Sequence, residues 1–148
     1  VKPAITIGLT MALAAGVSAQ GDDVSVTVAK KSDGYFVHDV RSPYQAGTTQ
    51  IRVLCPEKLE KGKKYRVVYV LPVEAETESK YGDGLKEIKQ IDLHNKFGAL
   101  FVAPTFSHLP WYADHPTKPE IRQESYFLKV VVPFIDKTYP ARADSKSR

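Results

Sequence analysis

The sequence predicts an α/β fold. An antiparallel start leads into a parallel βαβα stretch of the same sheet, and the sheet is incomplete at its C-terminal side. Three observations carry this expectation. Early in the chain, apolar residues alternate with polar ones, which is the period of a half-buried strand. Two later runs, Tyr65-Arg66-Val67-Val68-Tyr69-Val70-Leu71 and Ala99-Leu100-Phe101-Val102-Ala103, are almost continuously apolar. Strands of that kind lie in parallel sheets covered on both faces. Between and after these runs, apolar residues recur at helical spacing.

The elements follow in order. Val24, Val26 and Val28 alternate with Ser25 and Thr27, predicting a half-buried first strand. Lys31-Ser32-Asp33-Gly34 is turn chemistry, so Tyr35 to Val40 returns as a second strand. Thr49, Ile51 and Val53 alternate with Gln50, Arg52 and Leu54, and Pro56 ends that strand. The parallel run Tyr65 to Leu71 comes next. Asp83 can then cap a helix whose Leu85, Ile88 and Ile91 share one face, with stop signals at Asn95 and Gly98. The strand Ala99 to Ala103 closes the βαβ crossover. Thr117-Lys118-Pro119-Glu120 fits a capping box, and Ile121, Ser125, Leu128, Val132 and Ile135 follow at helical spacing. Pro133 lacks a backbone N–H and is expected to bend this helix or loosen its last turn. A parallel strand should follow, with the polar stretch Arg142 to Arg148 as its connection.

Length and composition narrow the function. A chain of 148 residues allows one domain. The net charge of +4 has one tight basic cluster, Lys58, Lys61, Lys63 and Lys64, and Glu57 and Glu60 interleave it. This is the pattern of a solvated loop, so no nucleic-acid partner is expected. The single cysteine, Cys55, excludes an intrachain disulfide framework and reads as a packed strand end. Lys2, the short apolar stretch from Ala4 to Ala15 and Val17-Ser18-Ala19 read as a signal peptide over residues 1–19. The expectation is cleavage after Ala19, a single domain over residues 20–148, a secreted or periplasmic location and no stable membrane insertion. An uncleaved N-terminal anchor is the alternative reading.

In open α/β sheets, ligands bind at the carboxyl ends of the strands. Two long loops leave those ends, Pro72 to Gly82 and Pro104 to Pro116. The second carries Ser107, His108, Trp111, Tyr112, Asp114 and His115. Trp111 and Tyr112 could close a core edge, but their position favours the wall of a substrate cleft, with the four polar residues as neighbours. The spacing of His108, Asp114 and His115 matches no zinc pattern, so no metal is expected. Glu74, Glu76 and Glu78 of the first loop could form a carboxylate pair, yet they read as a solvated acidic run. Gly82-Asp83-Gly84 has Glu87 where a dinucleotide fingerprint needs its third glycine, so no cofactor is implied. No serine has glycine both two before and two after it, so none sits on a nucleophile elbow.

The stretch from Gly47 to Tyr139 resembles the N-terminal half of an α/β-hydrolase of the esterase D-like group. The strand Tyr65 to Leu71, the helix starting near Gly84 and the strand ending in Val102-Ala103-Pro104 carry the likeness. So do the Thr105-Phe106-Ser107-His108-Leu109-Pro110-Trp111-Tyr112-Ala113-Asp114-His115-Pro116 block and the Val131-to-Tyr139 block. The resemblance implies a serine hydrolase, a carboxylic ester hydrolase acting on a small-molecule or carbohydrate ester. Its Ser-His-Asp triad would lie beyond residue 148, so none of it is in this chain. It also implies that Val73 and Glu74 sit where a backbone N–H joins the oxyanion hole. The family usually has His-Gly there. Here Pro72 precedes Val73, and a proline has no N–H to give. The alternative is a non-catalytic relative that binds carbohydrate or ester ligands through Trp111 and Tyr112.

Overall fold

The computed structural model describes residues 24–144; the signal segment read over residues 1–19 lies outside them. Six strands form one mixed sheet: β1 (Ser25–Val26), β2 (Lys30–Ser32), β3 (Tyr35–Arg41), β4 (Thr49–Leu54), β5 (Arg66–Tyr69) and β6 (Ala99–Pro104). The order is β1-β3-β4-β6-β5, with β2 also paired to β3. Pairing is antiparallel up to β4–β6 and parallel between β5 and β6. The expected antiparallel start and parallel continuation are both present.

The hairpin between β2 and β3 turns on Asp33 and Gly34, both at positive φ (49° and 84°), with Ser32 opposite Tyr35. That two-residue turn matches the twist of the strands it joins. The first strand is shorter than its alternation predicts. Only Ser25 and Val26 pair with β3, and Val28 is 89% exposed. At Thr27 the pairing is only half kept: its N–H donates to Asp39 O at 3.0 Å, but the Asp39 N–H goes to Thr27 Oγ1 at 2.9 Å rather than to the Thr27 carbonyl, and the ladder stops.

The sheet has a core on each face. Val40, Ile51, Val53, Val67, Leu100 and Val102 meet Tyr126, Val131 and Ile135 of the C-terminal helical segment. On the other face Leu54, Phe101 and Ala103 meet Leu85 of α1 (Gly84–Gln90). Every residue of β6 is buried, as its unbroken apolar run predicts. β5 departs from that expectation. It is the last strand in the sheet order, and Val68 is 42% exposed. At its free side, Ala141 makes a parallel bridge to Tyr65. Tyr65 N–H donates to Pro140 O at 2.7 Å, and Arg142 N–H donates to Tyr65 O at 2.9 Å. Ala141, which is buried, thus pairs with the sheet just before the stretch expected to be the connection.

Both helices depart from their sequence readings. Asp83 caps α1 as expected, but the helix ends at Gln90 and leaves Ile91 exposed. Asp92 takes a left-handed φ of 60°, and a second short helix, α2 (Leu93–Lys96), follows. Gly84 has a packing reason: a Cβ there would stand 2.9 Å from Val70 Cγ1. The last segment does not start at its capping box. Pro119 and Glu120 lie in a turn, and α3 (Gln123–Tyr126) begins later. Pro133 loosens the helix upstream of itself rather than in its last turn. A π-helical turn (Phe127–Val131) separates α3 from α4 (Val132–Thr138). Proline gives no N–H and crowds the carbonyl four residues back, and a widened turn accommodates both.

Candidate functional site

The carboxyl ends of β5 and β6 open onto a cavity of about 400 Å³. Val73 and Glu74 line it, together with Pro72, Arg52, Asp83 and Thr105. The two residues singled out as oxyanion candidates therefore lie at its wall. Val73 is 63% exposed. Glu74 is buried, and its carboxylate accepts the N–H groups of Lys80 (2.9 Å) and Tyr81 (3.0 Å). Its side chain closes the loop and so has a structural role. The solvated reading fits Glu76 and Glu78 but fails for Glu74, because the carboxylate found backbone donors inside its own loop. Glu76 N–H donates to Phe106 O at 2.6 Å and ties the bases of the two loops together.

Arg52 and Asp83 form the charged side of the cavity. Arg52 binds both Asp83 oxygens, at 2.6 and 3.1 Å, while Asp83 Oδ1 also accepts Leu85 N–H (3.0 Å) and Lys86 N–H (3.3 Å). Partial burial alone would raise the Asp83 carboxyl, but Arg52 and the two N–H groups outweigh it and hold the pKa below the ordinary value. The carboxylate is therefore ionised at neutral pH and serves as both helix cap and ion-pair partner.

The lining of the cavity does not extend to the candidates of the second loop. Ser107 Oγ accepts Ala46 N–H (3.0 Å) and lies 3.2 Å from Gln45 Oε1 and 3.1 Å from His108 Nδ1. It ties the loop to Gln45. Asp114 is a cap: its oxygens accept Ser125 N–H (2.9 Å) and Ser125 Oγ–H (2.6 Å). Desolvation pushes its pKa up, but the Ser125 bonds prevail and lower it. His115 Nδ1 accepts the N–H groups of Thr117 and Lys118, each at 3.2 Å. His108, Asp114 and His115 thus face separate partners, and among the described residues no group of three metal-ligating side chains converges. Trp111 is 79% exposed, so it does not close a core edge. Tyr112 lies with its ring edge on buried Phe106, centroids 5.8 Å apart, and its hydroxyl donates to Pro72 O. Burial pushes its phenol pKa up.

The residue that organises this loop is Gln123, which the sequence reading passed over. It is 1% exposed. Its Oε1 accepts Trp111 N–H (2.7 Å) and Tyr112 N–H (3.0 Å), and its Nε2 donates to Leu109 O (3.2 Å) and His108 O (3.4 Å). The legible signal was a polar residue on an apolar face, three before Tyr126 and seven before Val130. Both of those are buried.

No protein-family model matches the chain, and no curated protein matches it. Among solved structures it is similar to an S-formylglutathione hydrolase from Agrobacterium tumefaciens, with a TM-score of 0.56 and 14% identity. The alignment covers 79% of this chain and 49% of that one, so the chain spans about half the length of the structure it matches. The mixed sheet with helices on both faces is therefore about half of an α/β-hydrolase fold.

Proposed function

We propose that the chain is the N-terminal part of an exported serine hydrolase that cleaves carboxylic esters. Its nucleophile would come from a strand that follows Arg142 and pairs with the free side of β5. The observation that carries this reading is the fold likeness taken with the Ala141–Tyr65 bridge. The bridge brings the chain to the free side of β5, and a parallel strand laid there would run toward the carboxyl edge that carries Val73, where a strand-to-helix turn can raise a serine. Val73 N–H then stabilises the oxyanion formed when that serine attacks the ester carbonyl. The reading frame downstream of Arg148 should encode about five apolar residues and then G-x-S-x-G. The complete protein should be labelled covalently by a fluorophosphonate. A stop codon directly after Arg148, or a strand without the serine elbow and no labelling, removes the hydrolase. It leaves the reading in which Trp111 and Tyr112 bind an ester or carbohydrate without turnover.

The exposure of Trp111 supports a role for it at the substrate rather than in the core. Trp111→Ala in the complete protein should shift stability by less than about 0.5 kcal/mol, as for other exposed positions. It should raise KM for a bulky ester severalfold. Denaturant titration beside steady-state kinetics checks both; a large stability loss at unchanged KM assigns Trp111 to packing.

A further inference from the structure

We propose that Tyr112 is a positioning residue that orients the Pro72–Val73 peptide, so that Val73 N–H is presented as an anion donor, with Gln123 holding Tyr112 in place. This rests on the ester-hydrolase reading above. The peptide bond between Pro72 and Val73 is planar and trans, so its C=O and N–H point in opposite directions. A hydrogen bond that fixes the carbonyl therefore fixes the N–H. The pyrrolidine ring already restricts φ of Pro72. That leaves ψ of Pro72 and φ of Val73 to be set, and the Tyr112 hydroxyl, donating to Pro72 O, sets them together. Among the described residues, Val73 N–H donates to no acceptor within the protein, so it is left for a ligand. A donor to the carbonyl also polarises the peptide and strengthens its N–H as a donor.

Tyr112 is held as such a role requires. Its φ is 58°, a left-handed conformation that a bulky residue adopts only under constraint. Gln123 Oε1 supplies the constraint by accepting the Trp111 and Tyr112 N–H groups, and buried Phe106 backs the ring. Buried Gln123, Tyr112 and the Pro72 carbonyl thus form one chain of contacts from the helix to the cavity wall. This arrangement also gives a use to the Pro72-Val73 pair, which departs from the His-Gly of the resembled family.

The test is Tyr112→Phe in the complete protein, which removes only the hydroxyl. With p-nitrophenyl acetate, kcat should fall about tenfold at unchanged KM, because the loss is confined to the charged transition state. Affinity for a trifluoromethyl ketone, whose adduct carries the oxyanion, should weaken by the same factor, while the melting temperature stays within about 2 °C of wild type. An active wild-type protein with unchanged kcat in the variant overturns the proposal and leaves the hydrolase reading standing. A fall in kcat matched by a large fall in melting temperature makes Tyr112 a structural tether and also overturns it. A wild-type protein that neither hydrolyses the ester nor reacts with a fluorophosphonate overturns both.

Discussion

Gln123→Leu will lower the stability of the protein by about 2–4 kcal/mol, although leucine has nearly the same volume. The glutamine amide is buried and bonds four backbone groups of the second loop. Its oxygen receives two N–H groups at 2.7 and 3.0 Å, and leucine can accept neither. The carbonyls of His108 and Leu109 can turn to water, because both residues are exposed. The two N–H groups point into the protein, so each loses a partner without an equal replacement. The larger share of the cost comes from those donors, and apolar burial of the leucine returns part of it. The loop should also open, since Tyr112 keeps its positive φ only under this restraint. Urea titration should show a lower midpoint at unchanged slope, with faster proteolysis between Leu109 and Ala113. A shift below about 0.5 kcal/mol at unchanged proteolysis contradicts this account.

The sheet was legible in the sequence because its two strand classes leave different marks. Residues 49–54 alternate, and β6 is apolar throughout, so the hidden faces were written in side-chain type. β5 shows the limit of that reading. Arg66-Val67-Val68-Tyr69 has the composition of a central strand, but its exposure depends on whether a neighbour stands beside it, which its own residues do not encode. The helix boundaries failed where distant groups outbid local ones. The Thr117-to-Glu120 box lost to Asp114, which caps α3 from eleven residues upstream of Ser125. The break at Asp92 depends on a left-handed residue in an otherwise helical pattern, and asparagine and aspartate carry that option without announcing it. The loop from Pro72 to Gly82 lines the cavity at the strands' carboxyl ends, whereas the second loop contributes only Pro104 and Thr105 to it. The inner division of that second loop was not legible, because Ser107, Asp114 and His115 are all polar and only partner geometry separates a cap from a ligand contact.

Asp83→Asn will cost about 2–3 kcal/mol at neutral pH, and the cost will shrink as the solution is acidified. The carboxylate does two jobs. It satisfies the Leu85 and Lys86 N–H groups at the start of α1, a cap worth about 1 kcal/mol. It also binds the Arg52 guanidinium through both oxygens, in a pair whose side chains are only 27% and 22% exposed. Asparagine can still cap, but it can accept only through one oxygen, and its NH₂ turns a donor toward the guanidinium. Arg52 Nε is already buried without a partner, so the weakened pair leaves this cation poorly compensated at the cavity wall. The sign of the pH effect follows from the direction of the pKa. Burial alone raises the Asp83 carboxyl, Arg52 and the capping N–H groups lower it by more, and the net folded value lies below the ordinary one. A depressed carboxyl contributes stability above its unfolded value and loses it as pH falls through the folded value. The difference between wild type and variant should therefore be flat from about pH 8 to pH 5 and should narrow below about pH 4. Chemical denaturation across that range reads it directly. A difference that widens in acid, or that is absent at pH 7, means that the ion pair and cap do not hold α1 against the sheet in the way their geometry implies.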